Sequence, residues 1–241
     1  MTAAIEPAYV LWPLAFFGFD LSVTSAVIVL WLAVAIIFLF GYLASRRPSL
    51  VPDELQNLLE IVYEFWESQV TEVLGKRTVV WLPFIIGLFL LIVVSNILGM
   101  LPGLYPLTAN INVTVALAVI VFITYHVAGV REQGLVNYLK ALVPSGMPLA
   151  ILPLMLVIEL MSHLARPFSL AIRLFANITA GHLIVFTLLS MIVVYKNIWL
   201  AGFPLLGRVA VGMFEVFVAF LQAYVFAYLA ALYIGLAVSE E

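Results

Sequence analysis

Ionisable and amide side chains interrupt the two longest apolar stretches of this sequence. They are Glu159, His163, Arg166, Arg173, Asn177, His182, Arg208, Glu215 and Gln222. A charged side chain at the centre of a bilayer costs about 2.5–3.5 kcal/mol on insertion scales, so each one requires a partner, a watery cavity or a function. Carboxylates, imidazoles and guanidinium groups at such depth mark the paths of ions and protons. We therefore expect ion translocation, carried by residues in the last third of the chain.

Three of these residues form one stripe on a helix. Glu159, Arg166 and Arg173 are spaced by seven, and seven residues at about 100° each return to within about 20° of the starting direction. The step from Glu159 to Arg173 covers roughly 21 Å along a helix axis, which is most of a bilayer core about 30 Å thick. Asn177 stays close to the stripe, whereas His182 is turned by about 180° from Arg173.

Folding the last stretch back on the one before it places two polar pairs at similar depths. In an antiparallel hairpin, residues at equal depth have a constant sum of residue numbers. The sum for Arg173 with Gln222 is smaller by only two than the sum for His182 with Glu215. We expect the turn near Asn197–Gly202. Because Arg173 and His182 face opposite ways, a crossing angle or intervening water is needed for both contacts.

Structural roles compete with functional ones at several of these positions. Arg166 and Arg208 lie near span ends, where a long side chain can reach water by snorkelling. His163 fits a packing histidine at least as well as a proton carrier. Arg173 differs because it lies mid-span, and its only structural alternative is a salt bridge to a carboxylate that lies far from it in depth.

Composition places the chain in a membrane before any motif is considered. Hydrophobic residues make up 66% of it and charged residues 10%, against about 45–50% and about 25% in soluble domains. The net charge of −3 and the absence of a basic run argue against nucleic-acid binding. Without cysteine there is no disulfide, thiolate metal site or cysteine nucleophile. We expect no metal, no cofactor and no catalytic residues.

The fold class that follows is an all-α polytopic membrane protein, organised as a single membrane domain over residues 1–241. A crossing helix needs about 20 apolar residues, and five segments reach that length. The predicted spans are 21–44, 78–101, 111–130, 147–195 and 203–238. The last two exceed one simple crossing, and we expect them to form a long, tilted antiparallel hairpin.

Basic residues in the short loops predict the orientation. They follow spans one and three, and are Arg46, Arg47, Lys76, Arg77, Arg131 and Lys140. The loop between spans two and three has none, while Lys196 in the last outer loop is an exception. The positive-inside rule then predicts an external N-terminus and a cytoplasmic C-terminus.

The segment 53–75, between the first two spans, predicts an amphipathic helix on the cytoplasmic membrane face. Its apolar residues recur at three- and four-residue steps, and are Leu55, Leu58, Leu59, Val62, Trp66, Val70 and Val73. Its other face is acidic, which is unsuited to anionic lipid. Docking of a partner protein is therefore favoured over a merely solvated face.

The run SLAIRLFANITAGH, from Ser169 to His182 and containing Arg173, resembles the signature of subunit a of F-type ATP synthases. The resemblance extends to Glu159, to ARPFS at 165–169, to Glu215, to FLQAYVF around Gln222 and to NILGMLP at 96–102. In effect the whole chain aligns. Some bacterial members carry a carboxylate at position 182 and a histidine at 215; the exchanged pair here resembles the mitochondrial members.

That resemblance implies a mechanism. A ring of c subunits, each with one membrane carboxylate, would turn against the hairpin of the last two spans, and two offset half-channels would reach this interface from opposite sides. Protons would enter from outside past His182 and Glu215 and leave inward past Glu159, while Arg173 separates the two paths with the help of neighbouring amides. The implied ion-translocation residues are Arg173, Glu159, His182, Glu215, Gln222 and Asn177, with Arg166, Ser169 and His163 as secondary candidates.

The resemblance also implies partners and a location. The c-subunit ring would lie against the long hairpin, and the b-subunit peripheral stalk against the 53–75 helix and neighbouring spans. Other ATP synthase subunits and the lipid bilayer complete the surroundings. The implied location is an energy-coupling membrane, with the bacterial plasma (inner) membrane favoured, and the chain itself would be non-catalytic.

Three other functions fit the sequence less well. A secondary ion-coupled transporter would show an internal repeat and interrupted helices in corresponding positions, and neither is visible. An anchoring subunit without conduction would tolerate lysine in place of Arg173. A hydrolase within the membrane would need a serine–histidine or HExxH arrangement, which the sequence lacks. The transported ion, H⁺ or Na⁺, stays open because the resemblance places its ligands mainly on the ring.

Overall fold

Helices dominate the computed structural model, which describes residues 10–12, 15–16, 19–20, 23–46, 48–101, 104–141, 152–195 and 198–239. The α-helices are α1 (Ser25–Ser45), α2 (Glu54–Leu74), α3 (Thr78–Gly99), α4 (Ile111–Gln133), α5 (Leu135–Ala141), α6 (Leu152–Tyr195) and α7 (Ile198–Val238). Within this part of the chain, five helical stretches are long and apolar enough to cross a membrane. The predicted class, an all-α polytopic membrane protein with five crossings, is confirmed.

Two short antiparallel strand pairs precede the first helix and were not expected. Strand β1 (Val10–Trp12) pairs with β4 (Val23–Thr24), and β2 (Ala15–Phe16) pairs with β3 (Phe19–Asp20). The first span is expected from residue 21, whereas α1 begins only at Ser25. Hydrophobicity alone does not separate a strand from a helix in so short an apolar run.

Local sequence explains where α4 begins and ends. Its first residue, Ile111, follows Asn110, whose side-chain oxygen accepts a hydrogen bond from the Asn112 N–H and so caps the helix. Its end is set by Gly134, whose φ of 79° lies in the left-handed region that glycine adopts most easily. The chain then turns into the seven-residue α5, which the sequence pattern did not predict.

Helix α7 lies at the centre of the bundle and packs against α2, α3, α4 and α6. Its covered face is rich in alanines that are 0% exposed: Ala219, Ala223, Ala227, Ala230 and Ala231. Small side chains let membrane helices approach closely, which matters because lipid supplies no hydrophobic drive for helix association. Gly235 extends this face, since a Cβ there would lie 2.6 Å from Cγ1 of Val73 on α2.

Only the C-terminal half of α2 is covered by the rest of the chain. Trp66 is fully buried, and its ring centroid lies 5.2 Å from that of Phe89 on α3 and 5.5 Å from that of Tyr224 on α7. Leu55 and Leu58, expected on the same apolar stripe, are 46% and 51% exposed. The N-terminal half of the stripe therefore remains open on this chain.

Helices α6 and α7 are 44 and 41 residues long. At about 1.5 Å per residue each is about 60–65 Å long, twice the bilayer core, so both must be strongly inclined or curved. Helix α7 already begins at Ile198, so Gly202 is helical rather than part of the expected turn. Helix α7 also contains Pro204, and membrane helices tolerate glycine and proline. Predicted features outside the described residues are the segment start at 147, Pro102, Arg47, Lys196, Asn197, Glu240 and Glu241.

Candidate functional site

Arg173 lies at the midpoint of α6, and its side chain is exposed. Within the described residues its side chain makes one hydrogen bond, a long one of 3.5 Å from Nη2 to Oγ of Ser169 one turn earlier. Arg173 forms no ion pair with any carboxylate in that part of the chain. A guanidinium keeps its charge at any accessible pH, so Arg173 needs water or an anion from another molecule.

An amide pair joins α6 to α7 beside Arg173. Asn177 donates its Nδ2 hydrogen to Oε1 of Gln222 at 2.7 Å, and Gln222 is buried. The expected contact between Arg173 and Gln222 is absent from the hydrogen bonds of the described residues. The reason is direction: Gln222 points between the helices, whereas Arg173 points out of the hairpin.

His182 and Glu215 form the second polar contact of the hairpin, close together as the depth argument expects. His182 Nε2 lies 3.4 Å from Glu215 Oε1, and Glu215 is only 8% exposed. That same carboxylate oxygen accepts no hydrogen bond from the described residues. A buried carboxylate oxygen without a donor is unfavourable, and His182 is the one polar neighbour that the described residues offer it.

Two neighbours shape the surroundings of this pair. A Cβ at Gly181 would lie 3.0 Å from Glu215 Oε1, so glycine leaves the room that the carboxylate occupies. The ring of Tyr105 lies beside that of His182, with centroids 5.8 Å apart and planes inclined by 31°. Tyr105 was missed by sequence reasoning because it stands in the loop before α4, outside any span.

A second histidine–glutamate pair lies toward the N-terminal end of α6. Glu159 Oε1 lies 3.4 Å from His163 Nε2, one turn further along the same helix. The side chain of Glu159 is 33% exposed, against 13% for His163. Glu159 is therefore the more accessible member and His163 the more enclosed one.

The predicted stripe divides in the structure. Glu159 turns to His163, and the guanidinium carbon of Arg166 lies 5.3 Å from the ring centroid of Tyr233 on α7, a cation–π contact. Of the three stripe residues only Arg173 faces outward without a partner of this kind. Arg208 is exposed, as a snorkelling residue would be.

The arrangement has a definite chemical capacity. It offers two sites where an imidazole and a carboxylate lie close enough to bind and release protons, with a fixed cation between them. In the described part of the chain, no three histidine, aspartate or glutamate side chains come together as a metal site would require.

Known proteins that are similar to this chain are ATP synthase subunits. The family model described as ATP synthase A chain matches residues 27–235. The chain is similar to ATP synthase subunit a of Ehrlichia canis, with 36% identity covering 93% of this chain and 91% of that protein. Identity is 39% to ATP synthase subunit a of Rubrobacter xylanophilus, covering 93% and 87%. It is 40% to ATP synthase subunit a 1 of Brucella anthropi, covering 92% and 90%.

Proposed function

The chain belongs to the ATP synthase A chain family and is therefore a non-catalytic, proton-translocating subunit of an F-type ATP synthase, and from this we propose how its own residues build the ion path. Arg173 is the fixed cation that keeps two half-channels apart. His182 with Glu215 serves the outer half-channel, and Glu159 serves the inner one. No observation favours the secondary transporter.

The observation that carries this proposal is the exposed position of Arg173, which forms no ion pair within the described residues. Glu159 and Glu215, the two carboxylates that would neutralise it within this chain, each lie against a histidine instead. A carboxylate presented by a c subunit is then the natural counter-ion. Because a guanidinium does not give up its proton, Arg173 attracts an ionised carboxylate and favours proton release, yet cannot pass the proton to the other half-channel.

The amide pair supports Arg173 indirectly. Because Asn177 donates a hydrogen bond to Gln222 at 2.7 Å, this pair joins α6 and α7 at the level next to Arg173. In this proposal their role is to fix the helix surface from which the guanidinium extends, and to keep polar groups available to water there. Ser169 lies one turn before Arg173 on α6, and within the described residues its hydroxyl accepts the one weak hydrogen bond that Arg173 donates.

Partners follow from the family at a coarse level, since a subunit a associates with other ATP synthase subunits such as the c-ring. We place the ring against the outer surface of the α6–α7 hairpin, which carries exposed apolar residues on both helices: Phe168, Ile172, Phe217 and Leu221. We place the b subunit at the open, partly apolar and acidic half of α2. The multi-pass chain would lie in a bacterial plasma membrane with its N-terminus outside and its C-terminus in the cytoplasm, as the loop charges predict.

In this proposal Arg173 must prevent a proton leak that would waste the energy of the membrane potential. Each elementary charge that crosses the membrane releases about 2.3 kcal/mol per 100 mV of potential. A direct path between the half-channels would dissipate this energy without turning the ring. A permanent cation of low proton mobility at the meeting point is the simplest barrier to such a leak.

ATP-driven proton pumping by inverted membrane vesicles tests the proposal. We expect Arg173→Ala and Arg173→Lys to abolish coupled pumping while the complex still assembles, because lysine loses its proton more readily when desolvated. Arg208→Ala, which removes an exposed arginine of α7, is the matched control and should pump normally. Normal coupling in Arg173→Ala would remove the proposal, and full activity of Arg173→Lys would favour an anchoring role.

A further inference from the structure

His163 sits in a cluster that the proposed half-channels do not require. Its Nε2 lies 3.4 Å from Glu159 Oε1, and its Nδ1 lies 3.2 Å from the hydroxyl oxygen of Tyr125 on α4. Tyr125 is 1% exposed, and its ring stacks near that of His163 with centroids 6.0 Å apart. One imidazole therefore joins a fully buried tyrosine to a partly exposed carboxylate.

Donor and acceptor chemistry selects one tautomer of His163. An ionised carboxylate can only accept, so the nitrogen that faces Glu159 is the one that carries hydrogen. The other nitrogen, Nδ1, then has a free lone pair, which accepts from the Tyr125 hydroxyl. This assignment gives the Tyr125 hydroxyl hydrogen an acceptor and sets the N–H of His163 on the side of Glu159, whereas the reverse tautomer would set a lone pair against the carboxylate.

Other charged and titratable groups surround His163 from several helices. Arg166 follows it by one turn on α6, and the ring centroid of His126 on α4 lies 5.5 Å away. Tyr233 of α7 lies under Arg166. Tyr138 of α5 lies beside His126, and burial raises the pKa of the Tyr138 hydroxyl, opposed by the smaller effect of Arg166. A second positive charge at His163 would face Arg166 across one helical turn, so the neutral imidazole suits this site.

We propose that His163 is a positioning residue for Glu159: held by Tyr125 as the tautomer with hydrogen on Nε2, it directs an N–H group at the Glu159 carboxylate and favours its ionised form. This inference rests on the proposed inner half-channel, because it concerns the proton-accepting state of the carboxylate there. An ionised Glu159 is ready to take the next proton that leaves the ring. His163 thereby sets how acidic the inner compartment can become before proton release slows.

Removing the N–H group should change the pH dependence of conduction rather than only its size. A neutral donor to a partly exposed carboxylate alters its proton affinity by about three- to tenfold. Proton conduction falls as the inner side becomes acidic. In His163→Leu the midpoint of that fall should therefore lie at a pH higher by about 0.5–1 unit than in the wild type. A role in packing alone would lower the amplitude and the amount of assembled complex, but would leave the midpoint unchanged.

The experiment uses inverted vesicles containing the assembled membrane sector, so that the bath faces the inner side. Passive proton flux, driven by a potassium diffusion potential, is recorded over a range of bath pH and normalised to the amount of this chain. His163→Gln keeps an N–H donor without titrating and should restore the wild-type midpoint. Tyr125→Phe removes the hydroxyl group that fixes the tautomer of His163. It should shift the midpoint in the same direction as His163→Leu, but by a smaller amount. His126→Gln is the matched control and should shift nothing, because His126 bonds instead to the Phe122 carbonyl.

Each outcome bears on a different part of the argument. Wild-type midpoints in both His163→Leu and Tyr125→Phe would overturn the inference, as would equal shifts in His163→Leu and His163→Gln. If His163→Leu fails to assemble, Tyr125→Phe decides the question on its own. Glu159→Gln tests the premise separately: wild-type conduction in that variant removes the proposed inner half-channel, whereas impaired conduction alongside an unshifted His163→Leu removes only this inference.

Discussion

Exchanging the two charges of the outer pair is the most discriminating test of the hairpin site. The nearest atoms of His182 and Glu215 lie 3.4 Å apart, and Glu215 is 8% exposed. At an effective dielectric constant of about 20, unit charges at that distance attract by about 5 kcal/mol. Desolvation of the buried Glu215 and of the partly exposed His182 offsets a large part of this energy. A coupling of about 2 kcal/mol remains, which corresponds to about 30-fold in rate.

The assay compares four versions of the assembled complex. His182→Glu sets two carboxylates side by side, and Glu215→His sets two imidazoles side by side, so each single change should slow passive proton conduction by at least about 30-fold. The double exchange restores one acid and one base at the same two positions, and it should conduct far better than either single variant. Initial flux, normalised to the amount of chain in the membrane, is the measured quantity.

The outcome that refutes this reasoning is additivity. If the double exchange is as slow as the product of the two single effects, the coupling energy is close to zero and the side chains act independently. Normal conduction in both single variants would be more serious, because neither residue would then be needed for the outer path. The side chain of glutamate at position 182 has more rotatable bonds than that of histidine. Partial rather than complete recovery of conduction is therefore the expected result.

Three further substitutions test the packing around the site. Gly181→Ala places a Cβ 3.0 Å from the Glu215 carboxylate, and we expect slower proton conduction with normal assembly, measured by flux per complex. Trp66→Ala empties a fully buried site between α2 and the bundle, and by analogy with soluble cores should cost about 3–5 kcal/mol, seen as a lower thermal stability of the complex in detergent. Neutralising the exposed Arg77–Glu132 ion pair at the surface should cost at most about 1 kcal/mol, so Arg77→Ala should leave that thermal stability nearly unchanged.

The spans were predictable because lipid imposes a simple rule on composition. All five crossing helices end within three residues of the predicted apolar runs, since backbone groups at membrane depth must be paired inside a helix. Departures from the predicted pattern have local causes. Val23 and Thr24 form strand β4 instead of extending α1, and the open half of the α2 stripe shows that periodicity reveals an apolar face without revealing what covers it.

Pairing across the α6–α7 hairpin was only partly predictable. The sum of residue numbers brought His182 to Glu215, but Gln222 contacts Asn177 rather than Arg173. A rule based on depth carries no information about direction around each helix axis. The contacts between α4 and α6, such as Tyr125 with His163, are harder still, because no short turn links those helices and no sum of residue numbers applies. The signal available was weak: a tyrosine and two histidines near span ends.

The two histidine–glutamate pairs lie too far apart along α6 for direct proton transfer between them. Along α6, His163 precedes Arg173 by ten residues and His182 follows it by nine, or about 15 Å and about 13.5 Å of helix. Proton transfer between side chains needs contact at about 3 Å, directly or through one water. Between the pairs stand a cation that does not deprotonate and an amide pair bonded to itself. In the proposed path, a proton that reaches Glu215 therefore passes to Glu159 on a carrier that moves past Arg173, the role that the proposal gives to a ring of carboxylates.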